Sequence, residues 1–142
     1  MDCRRQHNQD RADLQHRNHW RLLSPDTLNM DLDAYREYVQ RSKGEFTATK
    51  QIVVALNTGW FSDRSACYLA AGRPVITQET GFSHLYGTGK GLFGFVTMDD
   101  IIEAVQRIRA DYAAHSKAAR EIAMEYFESG KVLKSLLEQA NV

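Results

Sequence analysis

The chain has 142 residues, 43% of them apolar and 25% charged, and its 18 basic side chains balance its 18 acidic ones. That is one ordinary domain with enough apolar material for a real core, and zero net charge argues against a nucleic-acid coat or an acidic tail. No apolar run approaches the ~20 residues that span a bilayer, and the polar N-terminus shows no secretory h-region. Two cysteines, Cys3 and Cys67, are too few for a disulfide framework, so a reducing, cytoplasmic setting is expected.

Residues 1–19 hold little that is apolar beyond Met1, Cys3, Ala12 and Leu14. Such a segment cannot offset its ordering entropy by burial and reads as a mobile lead-in or a weak helix ahead of a single domain over residues 20–142. Its Cys3, His7, His16 and His19 match no common zinc spacing, so no metal is expected.

After Trp20, Arg21-Leu22-Leu23 reads as a short strand closed by the turn residues Ser24-Pro25-Asp26. A helix is expected from Asp31 to about Phe46, with Leu32, Tyr35, Val39 and Phe46 on one side and Asp31 or Asp33 as its cap. The run Ile52-Val53-Val54-Ala55-Leu56 fits a strand or the tail of that helix, and periodicity does not separate the two.

Ser62 or Asp63 is a strong N-cap signal for a small-residue helix over Ser65 to Ala71, ended by Gly72 and Pro74. Pro74 to Gln78 then reads as a strand, with proline where its missing donor does least harm. A Gly-rich loop follows from Thr80-Gly81 to Gly91, then a strand over Leu92 to Val96. Thr97 and Asp100 resemble a capping box for a helix with the stripe Met98, Ile101, Ile102, Val105, Ile108 and Tyr112. A helix from about His115 to Phe127 and a last one around Val132, Leu133, Leu136 and Leu137 complete the chain. The alternation predicts an α/β fold with a small, mostly parallel, Rossmann-like sheet flanked by helices.

Two loops invite phosphate. In 87-GTGKGLFG-94 the Walker spacing fails, because His84 stands where the first glycine belongs and Gly91 where Ser or Thr should follow Lys90. Ser62-Asp63-Arg64-Ser65 is the better candidate. Amides at a helix N-terminus and the macrodipole favour an anion, Arg64 offers a charged fork, and Ser65 offers a hydroxyl. Glu79, Thr80 and Gly81 follow a strand end, where open α/β sheets bind ligands. Trp60, Phe61 and Phe82 flank both loops and suit either a ring-stacking surface or the core. Tyr68 and Cys67 read as core residues.

Together, 59-GWFSDRSACYLAAGRPVITQETGF-82, 88-TGKGLFGFVTMDDIIEAVQRI-108 and 111-DYAAHSKAAREIAMEYFESGKVLKSLLE-138 resemble the nucleotide-sugar (donor) lobe of GT-B-type bacterial glycosyltransferases. The resemblance implies that Ser62, Asp63, Arg64 and Ser65 hold the donor's diphosphate and that Glu79, Thr80, Gly81 and Phe82 face the sugar. It calls for no cofactor. Retaining members of that group place a spaced pair of glutamates around this loop and helix, where this chain has Gly59 and Cys67. The resemblance also implies a truncated donor lobe without an acceptor lobe, to which no catalytic residue is assigned. Such a lobe is expected to bind a nucleotide diphosphate sugar without turning it over alone, and to form a homodimer or join a partner chain that supplies the missing lobe. The alternative is a non-catalytic interaction module that retains the fold.

Overall fold

The computed structural model describes residue 17 and residues 31–140. The expected strand at Arg21-Leu22-Leu23, the turn after it, and Cys3, His7, His16 and His19 lie outside the described residues. The chain divides into two compact units, residues 1–38 and 39–142.

Helix α1 spans Leu32–Arg41. Asp31 caps it, its Oδ1 accepting the amides of Asp33 at 2.8 Å and Ala34 at 3.2 Å. The helix is shorter than expected, and Phe46 is not on it. Gly44 intervenes: a Cβ there would lie 2.6 Å from the Pro74 carbonyl oxygen. That close approach lets the Glu45 amide donate to Pro74 O at 3.0 Å and starts strand β1, Glu45–Thr47. The ambiguous apolar run is a short helix, α2, Gln51–Ala55, with no buried residue.

In the second unit, α3 spans Asp63–Ala70. It ends in a Schellman motif, with Gly72 at φ +67 donating to Leu69 O and Arg73 donating to Tyr68 O. Strand β2 is Val75–Gln78, a single 3-10 turn covers Phe82–His84, and β3 is Leu92–Phe95. Helix α4 spans Met98–Ala110, opened by the expected Thr97/Asp100 capping box. Helix α5 runs over Tyr112–Tyr126 and α6 over Ser129–Gln139. The break between these two falls at Phe127 and Glu128 rather than at Ser129-Gly130. There the Glu128 carboxylate accepts the Gly130 and Lys131 amides at 3.0 and 2.8 Å, capping α6.

The three strands form one parallel sheet in the order β1-β2-β3, with Phe46 beside Ile76 and Ile76 beside Phe93. Alternation along the strands divides the side chains between two faces. Ile76, Phe93 and Phe95 pack under Ala104, Ile101 and Ile108 of α4, and the Phe46 ring stacks on Phe95 at 5.4 Å. Val75, Leu92 and Leu69 of α3 are completely buried. The expected α4 stripe is therefore split: Ile101 and Ile108 turn to the sheet, whereas Met98, Ile102 and Val105 are exposed. The apolar residues of α6, Val132, Leu133, Leu136 and Leu137, are exposed as well. Among the described residues, no helix is long and apolar enough to cross a membrane.

Candidate functional site

The carboxyl ends of β1 and β2 and the N-terminus of α3 lie together. Gln78 Oε1 accepts the Thr49 amide at 3.1 Å, which joins the segments leaving β1 and β2. Two loops meet here. The Gly59 amide donates to Thr80 O at 2.6 Å, and the Thr80 hydroxyl donates to Trp60 O at 2.6 Å. Asn57 takes a left-handed turn at φ +48, and Gly81, at φ +96, sits so close that a Cβ would lie 2.8 Å from Asn57 Oδ1. Only glycine fits that crossing.

Glu79 organises the second loop. Its Oε1 accepts the Thr80 amide at 3.1 Å and the Gly81 amide at 2.7 Å, while its own amide donates to Phe95 O at 2.9 Å. Thr80 is 1% exposed and Phe82 is completely buried. The Phe82 ring leans on Phe61, which also stacks on Phe127 and meets Tyr86 edge-on. Buried Phe82 and partly buried Phe61 thus brace the loops, while Trp60 is 42% exposed. Of the four residues in the second loop, Glu79 and Gly81 shape the backbone, Thr80 ties it to Trp60, and Phe82 anchors it.

At the N-terminus of α3, Ser62 holds the cap position in extended conformation but makes no side-chain cap bond. Asp63 acts instead, its Oδ1 accepting the Arg64 amide at 2.8 Å and lying 3.4 Å from the Ser62 hydroxyl. An acidic side chain here already complements the helix dipole. Ser65 is fully buried, and its hydroxyl has no partner among the described residues.

Arg64 reaches back to β1. Its Nε donates to Glu45 Oε1 at 2.6 Å and its Nη2 to Thr47 Oγ1 at 2.9 Å, and the Thr47 hydroxyl donates to the same Glu45 oxygen at 2.8 Å. The carboxylate is the buried member, 5% exposed against 50% for the guanidinium. Taking a carboxylate out of water costs several kcal/mol unless it is paired, so Arg64 supports Glu45. Glu45 Oε2 has no partner among the described residues. Reading the sequence missed Glu45 because Gly44 was not taken as the end of the preceding helix. Once β1 is placed, period-2 alternation puts Glu45 and Thr47 on one face and Phe46 on the other.

Cys67 departs from its expected place in the core and is exposed, whereas Tyr68 is buried. Partial burial, with Asp63 and Glu45 nearby, pushes the Cys67 thiol above its ordinary value. It therefore stays protonated near neutral pH, a poor state for a nucleophile. Among the described residues, no three His, Cys, Asp or Glu side chains converge to hold a metal ion.

No family model matches this chain, and no curated protein or solved structure is detectably similar to it.

Proposed function

We propose that this chain binds the diphosphate of a nucleotide sugar at the carboxyl end of a Rossmann-like sheet, in the manner of the GT-B donor lobe that its sequence resembles. One observation carries the reading: the two loops singled out by sequence are hydrogen-bonded into one surface through Gly59, Trp60 and Thr80. That surface adjoins a helix N-terminus at the strand ends, where parallel sheets take ligands. Within it, the first turn of α3 receives the phosphates and partly exposed Glu79 faces the sugar, Thr80 and Gly81 being buried behind it. Exposed Trp60 offers the remaining ring surface.

The reading is of binding without turnover by this chain alone. Among the described residues there is one three-stranded sheet and no second lobe facing the site. A second polypeptide, either another copy or a chain carrying an acceptor lobe, would complete it. A second reading, an interaction module that retains the fold, is favoured by the engagement of Arg64 with Glu45, which offsets the charge an anion would seek.

Thermal unfolding against a panel of UDP, GDP and dTDP sugars separates the two. A ligand at 100 times its Kd stabilises the fold by about 2.7 kcal/mol, and Arg64→Ala is expected to weaken binding by roughly 1.5–3 kcal/mol through loss of charge-assisted bonds. No shift from any sugar nucleotide, at concentrations far above those of ordinary donors, leaves the interaction module as the answer. Release of nucleoside diphosphate in proportion to this protein alone would overturn the claim that it does not turn over.

A further inference from the structure

We infer that the open edge of β1 docks an extended polypeptide strand bearing apolar side chains and acidic flanks. This surface lies on the α4 side of the sheet near its amino end, away from the anion site, and the inference stands independently of the proposed ligand.

The backbone comes first. In a parallel pair, alternate residues send both their amide and their carbonyl to one neighbour. Glu45 lies beside Val75 in the register, and its amide donates to Pro74 O. Glu45 and Thr47 therefore face β2, and the Phe46 amide and carbonyl point outward. Among the described residues nothing pairs with them. An open edge of this kind templates a further strand, and side-chain pockets beside it give such an addition its specificity.

Such a pocket is present. Lys43, Phe46, Ile76, Val105, Ile108 and Tyr112 line a groove of about 520 Å³ beside β1. Phe46 is 48% exposed and Val105 40% exposed. The floor suits one or two branched apolar side chains, which alternate positions of an added strand would deliver to the same face.

Charge selects the occupant. The rim carries Lys43, whose ammonium lies 5.5 Å from the centre of the Tyr112 ring, and the exposed Arg109. The one acidic residue of the lining, Glu45, has its carboxylate on the opposite face, neutralised by Arg64. The rim is therefore cationic and favours carboxylates at the ends of the incoming segment. A second copy fits less well. The segment a second copy would add, residues 43–50, ends in Lys43 and Lys50 rather than in carboxylates, and its one acidic residue, Glu45, is already paired with Arg64.

The test uses the full chain and a peptide labelled at its N-terminus, fluorescein-Asp-Thr-Ile-Thr-Val-Thr-Asp-amide, read by anisotropy. Saturable binding is expected, weakened about tenfold or more by Val105→Asp, which buries a charge against the apolar anchor. Arg109→Glu, a change on the helix surface that keeps the test valid if the first variant fails to fold, is expected to weaken it as well. A Lys-flanked peptide and one N-methylated at its central residue are both expected to bind less tightly. The inference is overturned by a lack of saturation up to about 1 mM or by equal binding of the Asp- and Lys-flanked peptides. A micromolar dimer that Val105→Asp dissociates would also overturn it, because the occupant would then be a second copy.

Discussion

The amino end of β3 is covered by a loop of its own chain, whereas among the described residues the Phe46 backbone on the outer edge of β1 has no partner. Beside β3, the loop through Gly89 and Gly91 folds over the strand. The Gly89 amide donates to Leu92 O at 2.8 Å, Arg107 donates to Gly89 O at 2.7 Å, and the Gly91 amide donates to His115 Nδ1 at 3.2 Å. Arg107 also lies 5.3 Å from the centre of the Phe93 ring, covering it from solvent. Beside β1 the Phe46 ring stacks on Phe95 and stays half exposed. Natural sheets cover an edge or leave it for a partner, so the contrast is between an edge held by its own loop and one that has no partner among the described residues.

The closed side is expected to be the more fragile to substitution, because its seal depends on close backbone approach. A Cβ on Gly91 would lie 2.4 Å from Ala119 N, and the residue sits at φ +79. Gly91→Ala should therefore push the loop off α5 and disturb the bond from Val75 N to Gly91 O that starts the β2–β3 ladder. Strained backbone and overpacking each cost about 1–3 kcal/mol, so a loss of about 3 kcal/mol or more is expected in urea unfolding. Gly87, whose Cβ would meet nothing within 4 Å, is the control, and Gly87→Ala should change stability by less than about 0.5 kcal/mol. Equal losses in the two variants would mean that the seal does not depend on this contact.

A smaller effect is expected at the N-terminus of α3. Arg64→Ala removes the partner of a carboxylate that is 5% exposed. Losing one member of a fully buried pair costs about 3–5 kcal/mol, but Arg64 is half exposed and water can enter its place, so about 1–2 kcal/mol is expected. Glu45→Gln in the same background should recover part of that loss, since no charge is then left stranded. Failure of the double variant to recover would show that the Arg64 stem packing, rather than the ion pair, holds β1 to α3.

What the sequence made legible follows the range of the interactions involved. The Schellman end at Gly72 and the capping box at Thr97 and Asp100 are set by residues within a few positions of one another, and strands β2 and β3 are marked by apolar runs that follow Pro74 and Gly91, so each was legible although their pairing is long-range. Strand β1 was not. Three residues are too few for an alternation signal, and the bond that starts the strand comes from Pro74, 29 positions from Glu45. The same distance effect explains Phe46, expected on a helix and found at a sheet edge. At the candidate site, the positions of the two loops were legible from cap and turn chemistry. The bond between Thr80 and Trp60 and the pairing of Arg64 with Glu45 were not, because each closes across about 20 residues of chain. Cys67 failed for a different reason: composition around it is apolar, but its place on α3 turns it outward.

The subtlest expected effect separates the two sides by pH. His115 is buried beneath the closing loop, and its Nδ1 accepts the Gly91 amide. Burial, followed by the nearby Arg107 charge, holds its pKa below the ordinary 6.5, with Lys90 acting in the same direction and Asp111 against it. Protonation would set an N–H against the Gly91 N–H, two donors with no acceptor between them. A group whose folded-state pKa is depressed binds more protons in the unfolded chain, so stability rises with pH. Its contribution is complete above about 6.5 and declines as pH falls through the lower folded-state value. Asp100 and Glu128, whose carboxyls are held below their ordinary values chiefly by backbone amides, act in the same sense only at more acidic pH. His115→Asn supplies an uncharged side-chain oxygen near the Nδ1 position and cannot titrate. Urea unfolding between about pH 5 and 8, the range in which imidazoles change charge, should show stability falling toward pH 5 in the natural chain and a flatter profile in the variant. Parallel profiles would mean that the loop over β3 does not depend on the neutral ring. A fall confined to the natural chain, with peptide binding at β1 unchanged across the same range, would show that the two sides of the sheet respond to pH separately.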